Sequence, residues 1–181
     1  MNKDYIYVVL SRSPTILSRA IHRISGDAYT HAALAMDENL RNMFSFGRRW
    51  ANNPFIGCFR RERLNEGVYK YCSTLPGTVI KLDVSPEQHK RVSAILTGFR
   101  KNRKYYGYNY LGLFAHLFDM NYQSDNSFFC SEFVYHVLQQ SGITDWNVPR
   151  SRVKPYDLLQ LNGEVVFKGD LTHYGLQRKA G

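Results

Sequence analysis

Two side chains in this sequence have the type and setting for covalent chemistry, a cysteine and a histidine. Cys130 opens a helical run, Phe128-Phe129-Cys130-Ser131-Glu132-Phe133-Val134-Tyr135-His136-Val137-Leu138. At a helix N-terminus the unpaired N–H groups and the helix dipole favour a thiolate over a thiol. His31 lies far upstream, in the alternating segment Tyr29-Thr30-His31-Ala32-Ala33-Leu34-Ala35-Met36. A thiolate with an imidazole beside it is the nucleophile of acyl-transfer chemistry. The ordinary fate of a free cysteine is a packed interior. Against that stand the polar residues Gln123 to Ser127 just before Cys130 and the pair Ser131-Glu132 just after it.

The elements that must position these groups follow from periodicity and punctuation. Tyr5 to Leu10 reads as a strand, and Ile16, Ala20, Ile21 and Ile24 recur at helical spacing until Gly26. Tyr29 to Met36 is the second strand, in which alternation places His31 on one face with Ala33 and Ala35, small neighbours that leave room for a facing helix end. A polar turn leads to a returning strand over Asn42 to Phe46. Residues 48–75 have weak periodicity and many Gly, Pro, Arg and Asn residues, and read as a loop or flap. Thr78 to Val84 alternates as a strand, and Ser85-Pro86-Glu87-Gln88 starts a helix with Ser as cap, Pro at the first position and Gln reaching back. Val92, Ile95, Leu96 and Phe99 line one face of that helix, and the basic run 100–104 ends it. Tyr105 to Phe118 reads as partly helical. The Cys130 helix runs to about Gln140 and stops at Ser141-Gly142. A turn at Pro155 to Leu159, a strand at Val165 to Phe167 and a frayed tail at 177–181 complete the chain. No repeat or linker divides it, so residues 1–181 read as one α+β domain.

The formal net charge of +9 favours anionic partners, although no nucleic-acid motif accompanies it, and no specific nucleic acid is expected. The stretch Arg100 to Tyr110 mixes cations with tyrosines, as single-stranded nucleic-acid sites do, but reads more simply as a solvated helix end followed by packing tyrosines. Three cysteines without a C-x-x-C pair exclude a disulfide framework and a zinc ribbon, so Cys58 and Cys72 read as packing residues and no metal is expected. No signal-like start and no long apolar run occur, which points to a cytoplasmic address without a transmembrane segment. Glu132 points well away from Cys130 around the helix and reads as a structural acid for an arginine.

Ser11-Arg12-Ser13-Pro14-Thr15-Ile16-Leu17-Ser18-Arg19-Ala20-Ile21 followed by Tyr29-Thr30-His31-Ala32-Ala33-Leu34 resembles the N-terminal half of the YiiX-like, circularly permuted branch of the NlpC-like papain-fold superfamily. Tyr108-Asn109-Tyr110-Leu111-Gly112-Leu113, Phe129-Cys130-Ser131-Glu132-Phe133-Val134 and Pro155-Tyr156-Asp157-Leu158-Leu159 resemble its C-terminal half. The histidine precedes the cysteine, the order that permuted relatives share, among them the more distant lecithin:retinol acyltransferase-like proteins.

The resemblance implies a permuted papain-like fold, with a central antiparallel sheet packed against helices and a nucleophile at a helix N-terminus. It implies Cys130 as nucleophile, His31 as general base and acid, and a third polar group on the neighbouring strand, often a carboxylate in permuted relatives. Counting across the hairpin, Ser45 is the nearest polar candidate, with Asp37 and Asn42 behind it. Tyr108, Tyr110 and Tyr29 are expected to flank the substrate. The implied activity is a cysteine peptidase or amidase acting on an amide or ester through a thiol acyl-enzyme, with no cofactor, on a small cell-wall-type peptide, amide or lipid; acyl transfer is the variant outcome. The alternative is an inactive binding module that uses its basic surface for an anionic polymer or lipid.

Overall fold

The computed structural model describes residues 4–12, 26–50, 53–64, 66–67, 69–108 and 126–174. Its strands are β1 (Asp4–Ser11), β2 (His31–Ala35), β3 (Met43–Trp50), β4 (Asn53–Glu62), β5 (Pro76–Val84), β6 (Gly107–Tyr108), β7 (Ser127–Phe128) and β8 (Glu164–Asp170); its α-helices are α1 (Pro86–Lys101) and α2 (Cys130–Gln140). The architecture is α+β. All eight strands form one sheet in the order β7-β6-β4-β3-β2-β1-β5-β8. From β4 to β8 every neighbour is antiparallel. The two-residue strands β6 and β7 extend the other edge, paired parallel to each other.

β1 takes a central place because its β-branched and aromatic residues are buried on both faces, Ile6, Val8 and Leu10 on one and Tyr7 and Val9 on the other. The first face is covered by the helices. Ile6, Val8, Leu10, Ala32, Leu34 and Phe46 pack there with Val92, Leu96 and Phe99 of α1 and Phe133, Val134, Val137 and Leu138 of α2. Each of the larger side chains buried there is worth about 1.5–3 kcal/mol. On the other face Tyr7, Val9, Ala33, Ala35 and Met43 meet Leu40, Leu75, Leu171 and Tyr174. The helix that carries Cys130 does not face Ala33 and Ala35: α2 lies on the Ala32 and Leu34 face, and among the described residues turns and the C-terminal segment pack over the alanines.

α1 starts as its sequence predicts. The Ser85 side chain accepts from the Gln88 amide, Gln88 reaches back to Ser85 N–H, and Pro86 opens the first turn. α2 ends at Ser141, and Gly142 follows at φ +70°, the left-handed conformation expected of it. The Pro155 turn is a 3₁₀ segment, Tyr156–Gln160.

Residues 48–75 need correction. β3 runs on to Trp50, and β4 pairs with it through Ser45↔Arg60, Phe46↔Phe59 and Gly47↔Cys58, so the first half of the segment is a hairpin. Pro54, Gly57 and the arginines hide the strand in the sequence, because its pairing partner and not its own pattern holds it. The rest, up to β5, includes a 3₁₀ turn at Tyr69–Tyr71. The helix expected around Ile16 to Ile24, the segment Leu111 to Phe118 and the tail 177–181 lie outside the described residues. Among the described residues no helix is long and apolar enough to cross a membrane.

Candidate functional site

His31 is the first residue of β2, and its ring retains 19% exposure. Nε2 lies 3.0 Å from Oε2 of Glu62, the last residue of β4, which is 7% exposed. The Tyr69 hydroxyl donates to the same carboxylate oxygen at 3.0 Å, and its ring centroid is 6.5 Å from that of His31. Arg60 Nε stands 3.7 Å from the other oxygen, Oε1. Gly47 gives this carboxylate its space: a Cβ there would meet Oε1 at 3.2 Å.

Cys130 is the first residue of α2 and is 6% exposed. Its sulfur is near enough to the His31 ring to be among the influences that raise the ring's pKa. Burial opposes a charge on His31, but the Glu62 carboxylate, followed by the nearby Cys130 side chain and the hydrogen bond to Glu62, outweighs it and carries the imidazole from its ordinary 6.5 up to about 10. For Glu62, burial again opposes charge; His31, then Arg60 and the Ser45 hydroxyl, bring the carboxyl from 4.5 down to about 2. Burial and the neighbouring carboxylate raise the Tyr69 phenol well above its ordinary value. At neutral pH the pair is an imidazolium on a carboxylate.

The helix end that carries Cys130 is held from behind. Glu132 is fully buried; Oε2 accepts from the Phe129 N–H at 3.3 Å, and Oε1 accepts from Arg150 Nε at 3.1 Å. Ser131 Oγ donates to the Val153 carbonyl at 2.7 Å. The arginine partner that the sequence predicts for Glu132 is therefore Arg150. Its guanidinium also lies 4.6 Å from the centroid of the Phe128 ring.

The polar partner of His31 is Glu62 and not Ser45. Ser45 Oγ is fully buried and has no hydrogen bond of regular geometry among the described residues, although its proximity helps hold the Glu62 carboxyl down. Both groups border the Gly47 position, where an added Cβ would meet Glu62 Oε1 at 3.2 Å and Ser45 Oγ at 3.7 Å. The miscount has a simple cause. β2 and β3 pair only at Leu34↔Phe44 and Ala35↔Met43, and the partner comes from β4, one strand further on, in the segment read as loop. A signal was available, because the resemblance drawn from the sequence implies a third group that is often a carboxylate, and Glu62 and Glu66 are the acids between Glu38 and Asp83. Tyr29 is also corrected. It is 9% exposed, packs in the helix-side core, and its hydroxyl is 2.6 Å from Thr78 Oγ1, so it is spent on the interior. Tyr108 is in β6, and Tyr110 lies outside the described residues. Asp37 accepts the Arg41 and Asn42 amides in its own turn. Among the described residues no group of three His, Cys, Asp or Glu side chains is arranged to hold a metal ion.

No protein-family model, no curated protein and no solved structure matches this chain.

Proposed function

We propose that the protein is a cysteine hydrolase of permuted papain-like, NlpC-like fold that cleaves an amide or ester through a thiol acyl-enzyme. One observation carries this reading: a buried carboxylate, Glu62, holds the His31 imidazole at 3.0 Å from Nε2, and the helix-opening Cys130 is near enough to that ring to influence its charge. The Cys130 sulfur attacks the carbonyl carbon, and the resulting oxyanion is met by the Cys130 N–H, a donor worth about 2.7–4 kcal/mol in such sites. The His31 imidazolium gives its proton to the departing amine or alcohol as the carbon–nitrogen or carbon–oxygen bond breaks, leaving a thioester. Neutral His31 then takes a proton from water, hydroxide attacks the thioester, and the acid leaves as the thiolate–imidazolium pair returns. Glu62 fixes the ring and stabilises its charge throughout, supported by Tyr69 and Arg60.

Alkylation by iodoacetamide, read by mass spectrometry at each of the three cysteines, tests it. Cys130 should label with a rate that holds on a plateau below pH 7, and Cys130→Ala should lose that label while Cys58 and Cys72 keep theirs. A Cys130 rate that falls away below pH 8, as for a free thiol, overturns the proposal.

A further inference from the structure

Five of the chain's 24 Lys and Arg residues are gathered in one place. A groove of about 790 Å³ is lined by Arg60, Arg61, Arg100, Arg103, Lys104 and Tyr106. The end of α1 and the residues after it supply three of these cations; β4 supplies the other two. No acidic side chain is among the described residues that line it. Among the described residues Arg61, Arg100, Arg103 and Lys104 make no ion pair, and Arg61 is braced by donating to the Arg41 carbonyl at 3.0 and 3.3 Å. Concentrating like charges raises their mutual repulsion, which a bound anion removes. Aromatic surface lies among them: Tyr106 packs on Phe99 with centroids 4.5 Å apart, and Phe44 stacks on Phe59 at 5.9 Å with planes 4° apart.

We propose that this groove binds a nucleotide unit, its phosphate on the arginine forks and its base against the aromatic side chains. Four of the five cations are arginines, whose planar forks match phosphate oxygens in pairs. The volume is that of a small-molecule site, about 300–1,000 Å³, whereas a bilayer asks for a flat or convex basic face. Aromatic side chains among cations suit a base followed by a phosphate better than a sulfated sugar, which offers no planar ring. The same chemistry is present in a free nucleotide and in a single strand. This inference is independent of the thiol chemistry.

Fluorescence anisotropy of the full chain with a 5′-labelled oligothymidylate of roughly ten residues, competed by ATP, tests it. Saturable binding is expected, with a salt dependence that becomes shallower by about 0.7 for each phosphate contact removed. Arg100→Ser/Arg103→Ser/Lys104→Ser should weaken it at least tenfold yet keep the alkylation profile of Cys130. Because all three side chains are exposed, the fold should survive, which a thermal melt checks. Arg100→Lys/Arg103→Lys keeps the charge and removes the forks, and should still lose affinity several-fold. Displacement by ATP assigns the site to free nucleotides; resistance to ATP assigns it to strands. The proposal falls if neither probe binds saturably at about 0.1 M salt, if both variants bind as the parent does, or if heparin or phosphatidylglycerol vesicles compete as well as the oligonucleotide at matched charge.

Discussion

At the residue scale, Glu62 is the group on which the candidate site turns. It is buried, it holds two hydrogen-bond partners on one oxygen, and its charge is the chief influence keeping His31 protonated. Glu62→Gln keeps the size and removes the charge. The imidazolium then loses its main support, so the plateau of Cys130 alkylation should retreat toward higher pH. Turnover of any amide or ester substrate should fall on the order of a hundredfold or more, as when the acid of a catalytic triad is neutralised. An unchanged alkylation profile in Glu62→Gln would show that the carboxylate has no part in setting the pair's charge.

At the element scale, α2 delivers Cys130, and its first turn is anchored to the segment around Arg150–Arg152. Glu132 is fully buried and Arg150 mostly so, and removing one partner of such a pair strands the other charge. Arg150→Met should therefore destabilise the fold by about 3 kcal/mol or more, measured by urea unfolding. It should also raise the His136 pKa, which burial first and Arg150 second now depress to about 4. A double variant, Glu132→Leu with Arg150→Met, should recover much of the loss, because no buried charge is left unpaired. This element was readable in advance: its start, its end at Ser141-Gly142 and the structural role of Glu132 follow from capping and spacing. β4 was not, because it is recognisable only beside β3.

At the scale of the whole molecule, these shifted groups define a stability profile. His31 has a folded pKa raised from 6.5 to about 10, so its contribution is complete below pH 6.5 and is lost as pH rises through 10. Glu62 is lowered from 4.5 to about 2, so its contribution is complete above 4.5 and is lost as pH falls through 2. His136 is lowered from 6.5 to about 4, so the unfolded chain takes up a proton first and stability declines between those values as pH falls. The sum places maximum stability near pH 6.5, with a gradual alkaline limb set by His31 and a two-stage acid limb set by His136 and then Glu62. Thermal midpoints measured from pH 3 to 10 check this. His136→Phe should flatten the first acid stage and leave the alkaline limb in place; a profile level from pH 7 to 10 would contradict the His31–Glu62 pairing.

The sequence by itself determined what is local: the β1 strand, the capped start of α1 and the span of α2. Each depends on neighbours within a few residues, through capping bonds, backbone conformation and hydrophobic spacing. Only the tertiary structure decided that a carboxylate from β4 serves an imidazole on β2, that Ser45 and Tyr29 are buried, and that cations from α1 and β4 share one groove. Those facts depend on strand order and on which face each element covers. Both are set by the packing of distant segments against one another, and no local pattern carries that information.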